Sequence, residues 1–335
     1  MTDPIPRDGV PETALDWHRA GRGAAIATVV ETWGSAPRRA GSLMAVSGEM
    51  EIEGSVSGGC VEGAVAEEAL DAIASGEPRM LEYGVSDGDA FAVGLACGGT
   101  IRILLEPVSA MGPDLLERLV ALRAARRAAV YTVDTATWRR EVHGAPDLPG
   151  DLAARAAADR TGADEGRIAV VHNPPLRMAI VGGVHIAQAL SGMAALAGFD
   201  VTVIDPRAAF ASPARFPGTA LTNDWPDAAM QAFAPDSRSA VVMLTHDPKL
   251  DDPALRVALG SEAFYVGALG SRRTNAARTE RLRAAGLPEA AIARVHGPVG
   301  LDIGAATPGE IAAAILAQAI ARLRGRGEAS RAEAA

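Results

Sequence analysis

The chain has 335 residues, of which 48% are hydrophobic, 22% charged and 4% aromatic, and its formal net charge is −9. This length is enough for two domains, each with its own core. The negative net charge argues against binding to nucleic acid or to anionic membranes, because such binding needs a basic face on the protein. The sequence lacks the run of about 18 apolar residues that a membrane span needs, and its start, MTDPIPRDGV, lacks the order of a signal peptide. Two cysteines exclude a disulfide scaffold and favour a reducing compartment, so we expect a cytoplasmic protein.

The first half of the chain has the pattern of an α/β module. Residues 11–21 predict a short helix, and Ala24–Glu31 predicts a buried strand. A second helix is expected from about Val61 to Ser75, where Gly76 and Pro78 end it, and a further strand from Thr100 to Leu105.

Residues 109–167 carry the weakest pattern. The stretch 114–127 is helical in period and 129–134 is strand-like, but 144–166 is rich in Ala, Gly and Asp. We therefore expect this part to be a poorly defined edge of a first domain that spans residues 10–172. The consecutive prolines of NPP at 173–175 predict an extended linker and hence the domain boundary.

From residue 176 onward, strand and helix patterns alternate regularly. This alternation predicts parallel βαβ units and a doubly wound parallel sheet in a second domain, residues 176–325, with a disordered tail at 326–335. The strands are expected at 177–182, 200–204, 219–222, 240–244 and 264–268, and the last helix at 308–324.

A glycine turn follows the first of these strands and indicates a Rossmann-like domain. Gly182 and Gly183 open the turn, and Asp205 follows at about the spacing at which a carboxylate meets a ribose hydroxyl. Val184, however, stands where the middle glycine of the fingerprint lets the backbone approach a pyrophosphate, so NAD(P) binding is disfavoured although the fold signal persists. His185, at the start of the next helix, either caps and packs that helix or contacts a ligand.

Further candidate ligand contacts lie where the other strands end. Open α/β sheets bind ligands at the carboxyl ends of their strands, and a helix start with an arginine suits an anion. The candidates are Thr245, His246 and Asp247, then Gly270, Ser271, Arg272 and Arg273, and finally Asp302 in the segment GPVGLDIGA.

Two cysteines are the candidate functional residues of the first half. Cys60 follows Gly58 and Gly59 at an expected helix start, where amide groups and the helix dipole favour a thiolate. Cys97, before a second pair of glycines, is the other candidate. A buried structural role remains the alternative for either thiol.

These segments resemble the XdhC/CoxI family, the xanthine dehydrogenase accessory factors. The resemblance covers residues 24–106 and 177–322. It rests on GSAPRRAGS, GSVSGGCVEGAV, YGVSDGDAFAVGLACGG, LTHDPKLDDPAL, YVGALGSRRT and GPVGLDIGAATPGEIA. The turn GGVHIA departs from the GAGHVA that is usual in the family.

The resemblance implies a chaperone that binds molybdenum cofactor, supports its sulfuration by a cysteine desulfurase and inserts it into an apo molybdenum hydroxylase of the xanthine dehydrogenase type. The resemblance implies that the cargo is molybdopterin or its dinucleotide form. Arg272 or Arg273 would then contact its phosphate, and Cys60 or Cys97 would lie near the molybdenum, a soft centre that accepts sulfur ligands. Such a protein has no turnover of its own, and a homo-oligomer remains open. The alternative is an NAD(P)-dependent oxidoreductase that uses the Rossmann domain.

Overall fold

A computed structural model describes residues 9–34, 38–84, 99–164 and 166–325. The chain divides into two compact units between Pro174 and Pro175. The tail 326–335, expected to be disordered, lies outside the described residues, as does Cys97. No helix in the described ranges is long and apolar enough to cross a membrane.

The N-terminal unit is built around a five-stranded antiparallel sheet. Its order is β3-β2-β1-β5-β4. The strands are β1 (Ala24–Trp33), β2 (Leu43–Ser47), β3 (Ile52–Gly54), β4 (Arg79–Tyr83) and β5 (Thr100–Pro107). Both faces of β1 are buried: Ala25, Ala27 and Val29 face one core cluster, and Ile26 and Val30 face another. This alternation follows from the two-residue period of a strand.

A second antiparallel sheet, of four strands in the order β7-β6-β9-β8, completes this unit. The strands are β6 (Ala129–Asp134), β7 (Arg140–Gly144), β8 (Gly162–Asp164) and β9 (Arg167–His172). The helices of the unit are α1 (Val10–Arg19), α2 (Glu62–Ser75), α3 (Val108–Met111), α4 (Pro113–Ala124) and α5 (Gly150–Ala157).

The described residues of 109–167 therefore lie mostly in helices and strands, from α3 to β9, and do not form the poorly defined edge that the composition suggested. Tyr131, Ile168 and Val170 of the second sheet share one core cluster with Ile26 and Leu104 of the first. On the opposite face, Leu152 and Ala156 of α5 pack against Val130 and Ala169. Short strands whose faces are both covered have little polar alternation, which is why the pattern was weak.

The C-terminal unit is a six-stranded, fully parallel sheet in the order β12-β11-β10-β13-β14-β15. This is the doubly wound order of a Rossmann domain, with its switch point between β10 and β13. The strands are β10 (Leu176–Val181), β11 (Phe199–Ile204), β12 (Ala220–Thr222), β13 (Ser239–Met243), β14 (Tyr265–Ala268) and β15 (Val295–His296). The helices are α6 (His185–Leu196), α7 (Pro226–Phe233), α8 (Pro248–Leu259), α9 (Arg272–Ala284), α10 (Glu289–Ile292) and α11 (Pro308–Leu323).

The predicted Rossmann-like domain is thus confirmed. The five predicted strands agree with β10–β14 to within one residue at each end. The sixth strand, β15, was not predicted, because two residues are too few to show a period.

Candidate functional site

The switch point of the C-terminal sheet brings two of the predicted segments into contact. Gly182, which directly follows β10, has a φ of +110°, and a Cβ placed on it would lie 2.7 Å from Cγ2 of Thr245. Thr245 follows β13, so only glycine satisfies both the backbone conformation and the close approach. The term crevice refers below to the segments that follow β10 and β13, residues 182–185 and 245–247.

Asp205, at the end of β11, is fully buried, and both of its carboxylate oxygens have protein donors. The amide of Gly183 donates to Oδ2 at 2.9 Å, and Arg207 donates through its amide, Nε and Nη2 at 3.0, 2.8 and 2.7 Å. Burial opposes ionisation, but the hydrogen bonds from Arg207 and Gly183 outweigh it and keep the pKa of Asp205 below its usual value. A ribose hydroxyl would therefore have to share this carboxylate with Arg207.

The segment after Asp205 packs directly on the glycine turn. A Cβ on Gly183 would lie 2.5 Å from the carbonyl oxygen of Phe210, so this position also requires glycine. Arg215 donates to the carbonyl oxygens of Gly183 and Phe210, both at 2.7 Å, and Arg207 lies over the Phe210 ring at 3.9 Å. Arg215 thus fastens this segment to the glycine turn before α6, while Arg207 packs Phe210 against Asp205 within the segment.

Three helices begin near the carboxyl edge of the sheet, α6, α8 and α9, and of these α6 has no side-chain cap at its N-terminus. Val184 is its N-cap residue and accepts no amide with its side chain, which packs partly buried against the core. In contrast, Asp247 caps α8 by accepting the Lys249 amide at 2.9 Å, and Ser271 caps α9 by accepting the Thr274 amide at 3.1 Å. Uncapped helix amides attract anions, so α6 is the end best suited to a phosphate.

Val184 adopts an extended backbone with φ −85°, so its conformation does not require glycine. Its neighbour His185 is exposed at the first position of α6. His246 is also exposed and has a left-handed φ of +62°, which is uncommon outside glycine. Both histidines therefore lie on the surface of the crevice.

A buried ion pair, which the sequence did not reveal, supports the crevice from below. Asp251 of α8 accepts from the Thr245 hydroxyl at 2.5 Å and from Arg278 of α9 at 3.2 Å. Arg278 also donates to Asn275 and to the carbonyl oxygen of Leu269 at 3.0 Å. Burial raises the pKa of Asp251, although the bonds from Thr245 and Arg278 favour its charged form.

The residues of this network resemble surface charges in the sequence. Asp251 stands among other polar residues in DPKLDD, and Arg278 lies in a helix with low hydrophobicity. A signal that could have identified them is their position on the cap side of the helix that faces the sheet, one turn after Asp247 for Asp251 and two turns after Ser271 for Arg278.

The predicted anion cradle at 270–273 is solvent-exposed. Gly270 has a φ of +141°, and Ser271, Arg272 and Arg273 are all exposed at the start of α9. Asp302 is exposed in the segment that joins β15 to α11, beside the exposed side chains of Leu301 and Ile303. These positions are available to a ligand, and their role stays a prediction.

Cys60 lies in the N-terminal unit, exposed, two residues before α2. The Glu62 loop, residues 55–61, winds around the carboxylate of Glu62. This carboxylate accepts the backbone amides of residues 56–59 at 2.8–3.2 Å and the hydroxyls of Ser55 and Ser57. Burial opposes ionisation, but these bonds lower the pKa of Glu62 to about 2.

The amides that were expected to face the Cys60 thiol therefore bind other groups. Those of Gly58 and Gly59 donate to Glu62, and those of Cys60 and Val61 donate to the Ser57 hydroxyl at 3.0 and 2.9 Å. Among the described residues, no three His, Cys, Asp or Glu side chains are grouped as a metal site.

Comparison with known proteins gives consistent matches along the chain. A model described as the XdhC Rossmann domain matches residues 178–319, and a model described as the XdhC and CoxI family matches residues 17–84. The molybdenum cofactor insertion chaperone PaoD of Escherichia coli is 30% identical over 305 residues, which cover 91% of this chain and 85% of that protein.

Two further proteins match over nearly their whole length. A probable xanthine dehydrogenase subunit of Bacillus subtilis is 27% identical over 315 residues, covering 89% of this chain and 92% of that protein. A crystal structure of a Bacillus halodurans protein, described as a xanthine dehydrogenase, has a TM-score of 0.74 and 26% identity, and covers 96% of this chain and 97% of that one.

Proposed function

This chain belongs to the XdhC and CoxI family, and we propose on that premise that it is a maturation factor that binds molybdenum cofactor and inserts it into an apo-enzyme of the xanthine dehydrogenase type. The observation that carries the proposal is the similarity to PaoD through both units of the chain. A match of this extent involves far more than a shared Rossmann sheet, which hosts many unrelated functions.

The cargo presents two kinds of chemistry to the protein. Candidate partners for its phosphate end in the C-terminal unit are the uncapped amides of α6 and the exposed guanidinium groups of Arg272 and Arg273. Its molybdenum and exchangeable sulfur suit an accessible thiol, and Cys60 is exposed. We assign Cys60 the role of contacting this soft end of the cargo.

The finer parts of the proposal concern partners and compartment. We propose that a cysteine desulfurase supplies sulfur to the bound cargo and that an apo molybdenum hydroxylase receives it. A cytoplasmic location agrees with the two cysteines and with a thiol that must stay reduced. The protein acts as a carrier in this scheme and completes no turnover of its own.

An NAD(P)-dependent oxidoreductase is the second candidate, favoured by the strand order of the C-terminal sheet. Against it, Asp205 is already bidentately bound by Arg207, and Phe210 and Arg215 cover one side of the glycine turn. Val184 adds a side chain where a pyrophosphate approaches the fingerprint turn.

The test is anaerobic purification of the full chain from cells that make molybdenum cofactor, with bound small molecules identified by mass spectrometry. We expect a molybdopterin species, and we expect the loaded protein to activate an apo molybdenum hydroxylase. Cys60→Ser should keep the circular dichroism spectrum and lose most of the activation, with Cys97→Ser measured in parallel. Bound nicotinamide dinucleotide without molybdopterin would reject the proposal in favour of the oxidoreductase.

A further inference from the structure

The N-terminal unit contains a cavity of about 320 Å³ between the end of β1 and the segment that joins α5 to β8. Glu31, Thr32 and Trp33 line one side, and Arg155 and residues 160–164 line the other. Small-molecule sites in proteins begin at about 300 Å³, so the cavity has room for a ligand of one or two fused rings with a substituent.

The wall formed by α5 and β8 is held in place by partly buried polar contacts. Arg155 is 5% exposed, forms an ion pair with Asp164 and donates to the carbonyl oxygen of Arg160 at 3.4 Å. The Thr161 hydroxyl accepts the Val171 amide at 2.9 Å. Gly41, in the family segment GSAPRRAGS, packs on this wall, since a Cβ there would lie 3.1 Å from the Thr161 hydroxyl.

Three kinds of side chain remain available to a ligand in this cavity. The indole of Trp33 is 49% exposed, although large aromatic side chains are usually covered. Arg160 is exposed, and its guanidinium has no partner in the described part of the chain. The carboxylates of Glu31 and Asp164 pair with Arg102 and Arg155, and their side chains remain 27% and 55% exposed.

These groups define a ligand by their chemistry. An exposed indole offers a planar face for stacking, a free guanidinium binds phosphate, and carboxylates accept the N–H groups along the edge of an aminopyrimidine ring. A simple anion would not need the indole, and an apolar ligand would not need the free guanidinium of Arg160. The matching class is a flat, nitrogen-rich heterocycle that carries a phosphate.

We infer that this cavity receives the pterin end of the cargo, with Trp33 stacked on the ring and Arg160 on the phosphate. The inference rests on the proposed function, because molybdenum cofactor is the pterin phosphate that the proposal supplies. It assigns the pterin and its phosphate to the N-terminal unit, the unit that also carries Cys60. Arg160 then takes the place of the C-terminal phosphate candidates, the α6 amides, Arg272 and Arg273.

The test compares variants of the full chain purified anaerobically from cells that make molybdenum cofactor. Bound pterin is quantified by its fluorescence after oxidation and expressed per protein molecule. We expect Trp33→Ala to retain about ten- to a hundredfold less pterin, as stacking on an aromatic side chain predicts, and Arg160→Ala to lose about tenfold or more. Trp33→Phe should recover part of the retention, because it restores a stacking face.

Two matched variants serve as controls. Trp225→Ala removes another exposed tryptophan, and Arg118→Ala removes an exposed arginine of α4, so both should retain pterin like the wild type. Circular dichroism and thermal unfolding of all variants should match the wild type, since the side chain of Trp33 is half exposed and that of Arg160 is exposed.

The outcomes separate this inference from the proposed function. If wild type, Trp33→Ala and Arg160→Ala retain equal pterin, the cavity is not the site, while the carrier function stands. If only Arg160→Ala loses pterin, the stacking role of Trp33 is refuted. If the wild type retains no pterin, the proposed function fails and this inference fails with it.

Discussion

At the scale of single residues, Glu62 determines the shape of the loop that carries Cys60. Its carboxylate takes the place that an external anion takes in other amide-lined loops, with four backbone amides and two hydroxyls as donors. Because these bonds lower the folded-state pKa to about 2, the ionised group contributes stability above its ordinary pKa of 4.5. That contribution is lost as the pH falls from about 4.5 to about 2.

Glu62→Gln should loosen this loop at neutral pH. The glutamine side chain keeps one acceptor oxygen, but its NH₂ group replaces the other and faces N–H and O–H groups that also donate. The backbone amides of residues 56–59 should therefore exchange with deuterium roughly tenfold faster. Hydrogen exchange measured by mass spectrometry on peptides that cover residues 52–66 checks this. Glu67→Gln, at an exposed position of the same helix, is the control and should change nothing.

The same measurement on the wild type tests the direction of the pH dependence. After correction for intrinsic exchange, loop protection should fall as the pH drops below about 4.5, and Glu62→Gln should not show this fall. Equal protection of the loop in wild type and Glu62→Gln at pH 7 would contradict a role for the carboxylate.

At the scale of elements, the Asp251–Arg278 pair joins α8 and α9 beneath the carboxyl edge of the sheet. Both side chains are buried, at 1% and 3% exposure, so removal of one partner leaves an unpaired charge without water. The pair also orients Thr245 through its hydroxyl and the end of β14 through the Leu269 carbonyl. We therefore expect it to set the spacing of the crevice as well as its stability.

Arg278→Leu should destabilise the C-terminal unit by about 3–5 kcal/mol at pH 8, because Asp251 stays buried and charged. The deficit should shrink at pH 5, since burial already raises the pKa of Asp251 and the variant favours the protonated form further. Urea unfolding at the two pH values gives the free energies.

The control for this pair is Arg281→Leu, in the same helix. Arg281 pairs with Asp252 at 2.5 Å but is 38% exposed, so its removal should cost less than about 1 kcal/mol. A loss for Arg278→Leu as small as that of Arg281→Leu would show that the buried pair contributes little.

At the scale of the whole molecule, each unit has its own hydrophobic cores. Among the described residues, the five core clusters fall within one unit or the other, and none combines side chains from both. Each unit therefore has the apolar interior that an independently stable domain needs.

A cavity in one core should weaken its own unit first. Leu104→Ala in β5 and Ile315→Ala in α11 each remove a side chain that is at most 1% exposed and should each cost roughly 2–5 kcal/mol. In hydrogen exchange under mild denaturant, Leu104→Ala should raise exchange in residues 9–172, and Ile315→Ala in residues 176–325. An equal rise across the chain in both variants would mean that the protein unfolds as one cooperative body.

The sequence by itself determined the C-terminal architecture, the turn glycines and the family. Strand period and glycine turns are local properties, so β10–β14 could be placed to within a residue, and Gly182 could be recognised before its contact with Thr245 was known. Family segments such as GSVSGGCVEGAV are also local, and they pointed to the relatives that the comparisons found.

Only the tertiary structure decided what the charged residues do. Asp205 was expected to bind a ribose hydroxyl, but it binds Arg207. Asp251 resembled a surface charge, but it pairs with Arg278, which is 27 residues away in the sequence. The amides of Gly58 and Gly59, next to Cys60, bind Glu62. The cavity between Trp33 and Arg160 likewise depends on two sheets that are distant in sequence. The physical reason is that the free energy of a charge depends on burial and on its partners in space, and neither is encoded in the local period of the chain.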